Sequence, residues 1–593
     1  MRRGPGLSLF LLLLSLLAAQ QTAGTQQRAL VLAHVTVVDA TGAAARTDVT
    51  VIVRGDRISE MGRSGELHIP KNAQIVDGTG KFLIPGLWDM HVHWQEKDYL
   101  SLFIANGVTG IRIMWGLPIH HQWRKEIGNG SLLGPRLVIA SPVVDGPKPM
   151  FPGSIAVANA AEARRAVVRV KQDGADFVKV LSFLPRDAYF AIADEAKKQG
   201  IPFEGHVPLS VSADEASNAG QKSFEHLLGI LPACSSRSEE LNKAAQADLA
   251  EEIATGQPME LETGPHLRQT RQMMLDTYSA EKAVTLFTLL KRNGTWQCPT
   301  LTVNRVIAFA NDTSFTHDPR LKYMPRNLRA SWGTVFHLTP EDFAYEKKEF
   351  AKEMEVVGAM QKSGVGILAG TDTLNPLCFP GFSLHDELGL LVQAGLSPMA
   401  ALQAATLNPA RFLGREKDLG TVEAGKFADL VLLDANPLDD IGNTKKIEAV
   451  FYRGQYFPRA SLDQMLAKVE AEASRKSVAE AMMQTIHETD AAAAVKQYRD
   501  LRATQPNAYD FSENELIGLG YQLIAMKRFK DAIEIFELSV EAYPESYNAY
   551  DSLAEAYMDN GDTDLAIQNY RKSLELNSGD TNAIEKLKKL NRE

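Results

Sequence analysis

Between residues 86 and 418 eight short apolar runs alternate with longer stretches of helical pattern; they lie at 87–93, 108–113, 137–141, 176–182, 202–207, 222–228, 295–302 and 366–372. Apolar runs separated by helices, rather than by tight turns, demand parallel strands buried on both faces. Eight such units is the number that closes a (β/α)8 TIM barrel, so the expected fold class is α/β over residues 86–418. Two connections, 229–294 and 303–365, are overlong, and their Glu, Lys, Gln and Leu content predicts added helices of the kind that form lids or oligomer contacts.

The two flanks resemble each other in kind. Segment 27–85 carries β-branched runs such as Val49-Thr50-Val51-Ile52-Val53, and segment 419–460 carries Asp429-Leu430-Val431-Leu432-Leu433, each bounded by turn residues. They predict a small β-sandwich domain built from both ends of the middle segment. Past 460 the composition turns helical and charged, with 461–512 expected as a helical linker. From 513 a period of 34 emerges, in which Leu516, Leu519, Gly520, Ala532, Phe536 and Ser539 are matched by Tyr550, Leu553, Ala554, Ala566, Tyr570 and Ser573. This C-terminal all-α region, 513–593, resembles the tetratricopeptide repeat, whose paired helices bury one another's apolar faces.

Met1-Arg2-Arg3 precedes an apolar stretch from Leu7 to Ala19 and then polar, small residues, the pattern of a signal peptide over 1–24. It predicts an exported protein, periplasmic or secreted. With 63 basic against 73 acidic residues the net charge is −10, which offers no footprint for nucleic acid. Cys234, Cys298 and Cys378 are too scattered for a disulfide scaffold or a zinc knot.

Polar residues interrupt the apolar runs near their C-terminal ends, where a barrel of this kind places its chemistry. His91 and His93 share one face of the first run, Lys179 lies in the fourth, His206 in the fifth, His226 in the sixth and Asp372 ends the eighth. A lysine in a strand buried on both faces needs a partner: carboxylation to an anionic carbamate is one solution, pairing with an acid such as Glu204 another. A single histidine in such a strand can be a hydrogen-bonded core residue, but several at neighbouring strand ends suit a transition metal, with Asp372 as carboxylate ligand or proton acceptor.

These residues sit within Pro85-Gly86-Leu87-Trp88-Asp89-Met90-His91-Val92-His93, Gly174-Ala175-Asp176-Phe177-Val178-Lys179, Gly205-His206, Glu225-His226 and Ala369-Gly370-Thr371-Asp372. The ordered set, with Asn408-Pro409-Ala410-Arg411-Phe412-Leu413-Gly414 after it, resembles the amidohydrolase superfamily, in its imidazolonepropionase-like and prolidase-like branch. The resemblance implies two divalent metal ions. His91, His93 and Asp372 would hold one, His206 and His226 the other, and carboxylated Lys179 would lie between. It further implies a metal-activated hydroxide attacking an amide carbonyl, with Asp372 accepting its proton. Zinc suits imidazole and carboxylate ligands, and manganese, iron or cobalt would fit the same shell.

The reading is therefore an exported metal-dependent hydrolase that cleaves the amide bond of a dipeptide or an N-acyl amino acid. Hydrolysis of a cyclic amide or imidazolone is one alternative, and a repeat-based binding or scaffold protein with an inert barrel is another. Arg112, Trp115, His120, His121 and His385 are the candidate substrate contacts, lying at or after the ends of the second and eighth runs. The repeats are expected to serve a protein partner or self-association. Since every candidate catalytic and metal residue precedes 373, a chain ending near 460 is expected to keep the whole catalytic unit.

Overall fold

The computed structural model describes residues 28–590 apart from 95, 152, 256–264, 333–337 and 578–579; segment 1–24, expected as a signal peptide, lies outside the described residues. Three bodies of structure follow one another in space: a sheet made from both flanks, a parallel α/β body, and a helical array.

The flanking strands are β1 (Leu30–Val37), β2 (Arg46–Arg54), β3 (Arg57–Arg63), β4 (Gln74–Asp77) and β5 (Phe82–Pro85). The α/β body contributes β6 (Leu87–Val92), β7 (Val108–Ile113), β8 (Arg136–Ile139), β9 (Val144–Asp145), β10 (Ile155–Ala156), β11 (Val178–Val180), β12 (Phe203–Gly205), β13 (Ser223–Glu225) and β14 (Trp296–Cys298). After it come β15 (Leu430–Leu433), β16 (Ile447–Tyr452) and β17 (Gln455–Pro458).

In place of a sandwich of two separate sheets, the flanks form one continuous eight-stranded sheet in the order β17-β16-β15-β5-β1-β2-β3, with β4 paired to β1. The join is β5 against β15, antiparallel from Leu430↔Pro85 to Leu433↔Phe82. Alternate residues of these strands, among them Leu30, Leu32, Val51, Val53, Leu83, Leu430, Leu432 and Phe451, share a single apolar cluster. A period-2 pattern therefore buries one face of the whole sheet. The sequence shows that face but not how many sheets supply it.

In the α/β body, β6-β7-β8 form one parallel sheet and β10-β9-β11-β12-β13-β14 another. The eighth run, 366–372, is not assigned as a strand; it is bound on both sides through the isolated parallel bridges Gln297↔Ile367 and Val92↔Thr373. A further parallel bridge, Ala140↔Phe177, links the two sheets. The eighth run is pinned against the first so closely that a Cβ on Gly370 would stand 2.5 Å from Cys298 Sγ and 2.8 Å from His91 Cβ. Only glycine admits that approach. Cys234, Cys298 and Cys378 are all buried and free.

Segment 461–512 is more than a linker. Helices Val478–Glu488 and Ala491–Thr504 pack as a hairpin, and their Val478, Met482, Ala494 and Tyr498 share a core with Leu516, Leu519, Ala532 and Phe536 of the next pair. Within that pair a Cβ on Gly520 would meet the Phe536 ring at 2.3 Å, which explains the small residue at this point of the repeat. Helix Arg459–Ala473 belongs with the α/β body instead: Leu462, Val469 and Ala473 are buried in the main core. The expected division near 460 would thus cut away part of that core. No described helix is long and apolar enough to cross a membrane.

Candidate active site

The ends of β6, β11, β12 and β13 and the eighth run converge on one point. His91 Nε2 and His93 Nε2 are 3.1 Å apart, and both face Asp372 Oδ1, at 3.3 and 3.0 Å. His226 Nδ1 is 3.7 Å from Asp372 Oδ2, and its ring centroid is 4.5 Å from that of His91 and 5.0 Å from that of His206. Among the described residues Lys179 Nζ, His93 Nδ1 and Asp372 Oδ1 are buried without a hydrogen-bond partner. Two imidazole nitrogens facing one carboxylate oxygen, beside an unpaired ammonium, is a costly arrangement unless a cation or a covalent change resolves it. The donor set therefore fits metal.

Three of the four histidines are anchored through Nδ1, while His93 Nδ1 has no hydrogen-bond partner among the described residues. His91 Nδ1 donates to Glu225 Oε2 at 2.8 Å, His206 Nδ1 bonds Ser182 Oγ at 2.8 Å, and His226 Nδ1 bonds Thr300 Oγ1 at 2.7 Å. With a proton on Nδ1 of these three rings, their Nε2 atoms offer lone pairs. Burial, reinforced by Lys179, pushes the imidazoles of His91 and His206 well below their ordinary value, and burial brings His226 down to about 4. The rings stay neutral, as ligands must. Burial also pulls Lys179 down to about 8, toward the free amine that carboxylation requires. For Asp372 burial acts upward, but the surrounding His226, His93 and Lys179 outweigh it and draw the carboxyl below its ordinary value. Asp89, buried beneath the pair, accepts from Thr371 Oγ1 at 2.6 Å, and burial raises it to about 7.

Of the expected substrate contacts, Trp115 alone lines the cavity above this point. Arg112 is wholly buried and spends its donors on Met90 O at 2.6 Å, Glu204 Oε2 at 2.7 Å, Ser223 Oγ at 3.0 Å and Glu225 at 3.0 Å. It is a strut that fixes Glu225, and through it His91. It also claims Glu204, so that acid is not the partner of Lys179. His120 is buried between the Leu117 amide, which donates to Nδ1 at 3.0 Å, and Trp94 O, 3.1 Å from Nε2. His121 turns to Arg124, 3.2 Å away, and does not line the cavity. His385 is buried between Thr444 Oγ1 and Asn106 O, each at 3.0 Å, and ties helix Phe382–Gln393 to segment 441–445. Their positions in sequence are those of site residues; burial and saturated hydrogen bonding make Arg112, His120 and His385 structural, and His121 is turned away.

The cavity over the convergent histidines measures about 600 Å³. One wall is apolar, with Trp115 and Phe151 at 5.5 Å between ring centroids. The far wall comes from the two long insertions and is charged: Arg271 sits 2.7 Å from Glu346 and 3.1 Å from Glu349, with Glu353 one turn further along helix Pro340–Ser363. Burial, then Glu349, drives the Glu353 carboxyl upward, and it accepts from Asn304 at 2.9 Å. Sequence reasoning assigned no role to this wall or to Ser182, Glu225 and Thr300. The spacing 346, 349, 353 does put three carboxylates on one helical face, but nothing in sequence says what that face meets. Backbone at His226, Thr300 and Asp372 is left-handed, at φ of 60°, 48° and 59°. Such conformations cluster where a site over-determines its geometry.

Comparison with known proteins gives the following. Residues 82–457 match the model of the amidohydrolase family, and residues 547–580 match that of the tetratricopeptide repeat. An imidazolonepropionase of Legionella pneumophila is 39% identical over 100 residues, which is 17% of this chain and 24% of that protein. One of Shouchella clausii is 44% identical over 78 residues, 13% of this chain and 17% of the other. The chain thus matches about a quarter or less of these relatives' length. Among solved structures, a bottromycin amidohydrolase aligns with a TM-score of 0.61 at 23% identity, covering 77% of this chain and 93% of its own. A Xaa-Pro dipeptidase with methionine in its active site aligns with a TM-score of 0.53 at 20% identity, covering 72% and 100%. At these identities the structural likeness speaks for the fold.

Proposed function

Because this chain belongs to the amidohydrolase family, we propose that it hydrolyses the C–N bond of a dipeptide or an N-acyl amino acid at a two-metal centre, after export from the cell. The observation that carries the reading is the meeting of His91 Nε2, His93 Nε2 and Asp372 Oδ1 on the floor of the cavity, with Lys179 Nζ unpartnered beside them. On this reading His91, His93 and Asp372 hold one ion, His206 and His226 the other, and Lys179, carboxylated, lies between. Bound divalent ions would supply Lewis acidity toward an amide oxygen and toward water at neutral pH. The protein's own part is positional. Glu225, Ser182 and Thr300 aim the imidazoles, Asp372 takes the proton released by attacking water and returns it to the leaving nitrogen, and the Trp115–Phe151 wall holds an apolar side chain away from solvent. The two parallel sheets and the bridges at Ala140, Gln297 and Val92 are read here as the arcs of one eight-membered ring.

A cyclic amide is the second reading, favoured by the local identity to imidazolonepropionases. One experiment addresses both: elemental analysis of purified protein, then a screen of dipeptides, N-acyl amino acids and cyclic amides. About two equivalents of metal and turnover of a linear amide are expected. Asp372→Asn should then lower turnover roughly 10²-fold or more, the scale of general acid–base catalysis. One equivalent, unchanged by Lys179→Ala, would remove the bridging lysine, and turnover of cyclic amides alone would favour the second reading.

A further inference from the structure

The cavity wall is completed by a segment that helices Arg459–Ala473 and Val478–Glu488 hold from outside. Segment 319–332 consists of a 3-10 helix, Pro319–Tyr323, and a helix, Arg326–Trp332. Leu328 and Trp332, four residues apart and so on one helical face, line the cavity. Arg326 lies two residues before Leu328, about 200° around the helix, and points the other way. Its guanidinium reaches Glu480 of helix Val478–Glu488 at 3.0 Å, while Lys322 Nζ reaches Glu470 of helix Arg459–Ala473 at 2.8 Å. On the barrel side Arg320 bonds Asp386, and the Tyr323 ring stacks on Phe382 at 5.2 Å. Behind it all, Leu321, Tyr323 and Leu328 pack against the core that contains Leu462 and Val469 of helix Arg459–Ala473. The segment is thus rooted in the barrel, faces the cavity, and is covered by the helices that lead into the repeats.

We propose that Glu470 and Glu480 are positioning residues for the substrate cavity. By holding Lys322 and Arg326 they set where Leu328 and Trp332 stand, so the two helices that carry them tune substrate binding without touching substrate. The inference rests on reading the cavity as the amide site. Each pair is half-exposed and contributes little alone, but both act on one short segment that has apolar contacts on either side. Linkage is reciprocal: a molecule that fills the cavity must firm the grip of both helices on the segment.

The test uses the full chain, metal-loaded, with the paired substitution Glu470→Gln and Glu480→Gln. The expected result is a KM raised roughly three- to tenfold, the scale of two such pairs, with kcat held within about twofold and metal content unchanged. Hydrogen exchange in peptides covering 319–332 should quicken, and a cavity ligand should slow it. The charge-reversed pair Arg326→Glu with Glu480→Arg should recover part of both readouts, which a merely structural role for either residue would not produce. KM unchanged in the paired variant overturns the proposal, whether or not exchange quickens. If the native chain hydrolyses no amide, the functional reading fails by itself. Exchange then decides the inference, and unaltered protection of 319–332 overturns it.

Discussion

Thr300 illustrates how much of this site is decided one side chain behind the chemistry. Its hydroxyl bonds His226 Nδ1 at 2.7 Å from a left-handed backbone, φ 48°, immediately before helix Leu301–Phe309. Thr300→Val keeps the shape and removes the hydroxyl. Metal affinity, measured by competition with a chelator, should fall about 10- to 100-fold, the usual effect of losing such a partner. The melting temperature of the metal-free protein should barely move. At this scale the sequence was legible where a residue type is out of place: His91, His93, Lys179, His206, His226 and Asp372 interrupt apolar runs, and the structure brings all six together. It was illegible where a residue type is ordinary. A threonine or serine near a strand end carries no mark of what it bonds. Arg112, His120 and His385 stand at site-like positions, yet their hydrogen bonds are spent on carboxylates, hydroxyls and backbone oxygens of other elements, which only the assembled fold reveals.

Among elements, the parallel runs were readable because burial on both faces leaves short continuous apolar segments, and β6 to β8 and β11 to β14 fall within those runs to a residue or so. The eighth run reads as a strand but is held by isolated bridges, since Asp372 bends out of extended geometry. Contacts between distant elements left no trace in sequence. An instance is the loop after β6, where Glu96 Oε1 accepts from Asn514 of helix Glu513–Ala525 at 3.4 Å. Burial, then the nearby carboxylates of Asp510 and Asp98, raise Glu96 to about 7. Its unfolded value is about 4.3, so the docked form keeps a proton that the free form gives up. The contribution is therefore complete below about pH 4.3 and is lost as pH rises through 7. Hydrogen exchange in peptides covering 509–515, corrected for intrinsic rates, should gain speed between pH 6 and 8 by roughly several-fold. Glu96→Gln should flatten that rise; a rise that persists would place the titration on another group.

For the whole molecule, the main core includes Leu462, Val469 and Ala473, so the boundary of the catalytic unit lies after helix Arg459–Ala473 and not before it. A chain ending at 458 should melt at least several degrees below one ending at 475, because burying two large aliphatic side chains stabilises by about 3 kcal/mol or more. Equal melting temperatures would return the boundary to 460. The pairing of β5 with β15 reaches further. It sets Pro85 beside Leu430, with the Gly86 amide donating to Asp429 O at 2.7 Å, so the sheet on which the first catalytic strand begins is finished by residues made some 345 positions later. During translation the N-terminal strands must wait, at the ribosome's pace, with β5 lacking its neighbour and β6 following directly from it. A nascent chain in that state has no closed body to resist threading. The same long-range pairing that delays folding keeps the polypeptide open while it is being made, as the export proposed above would require.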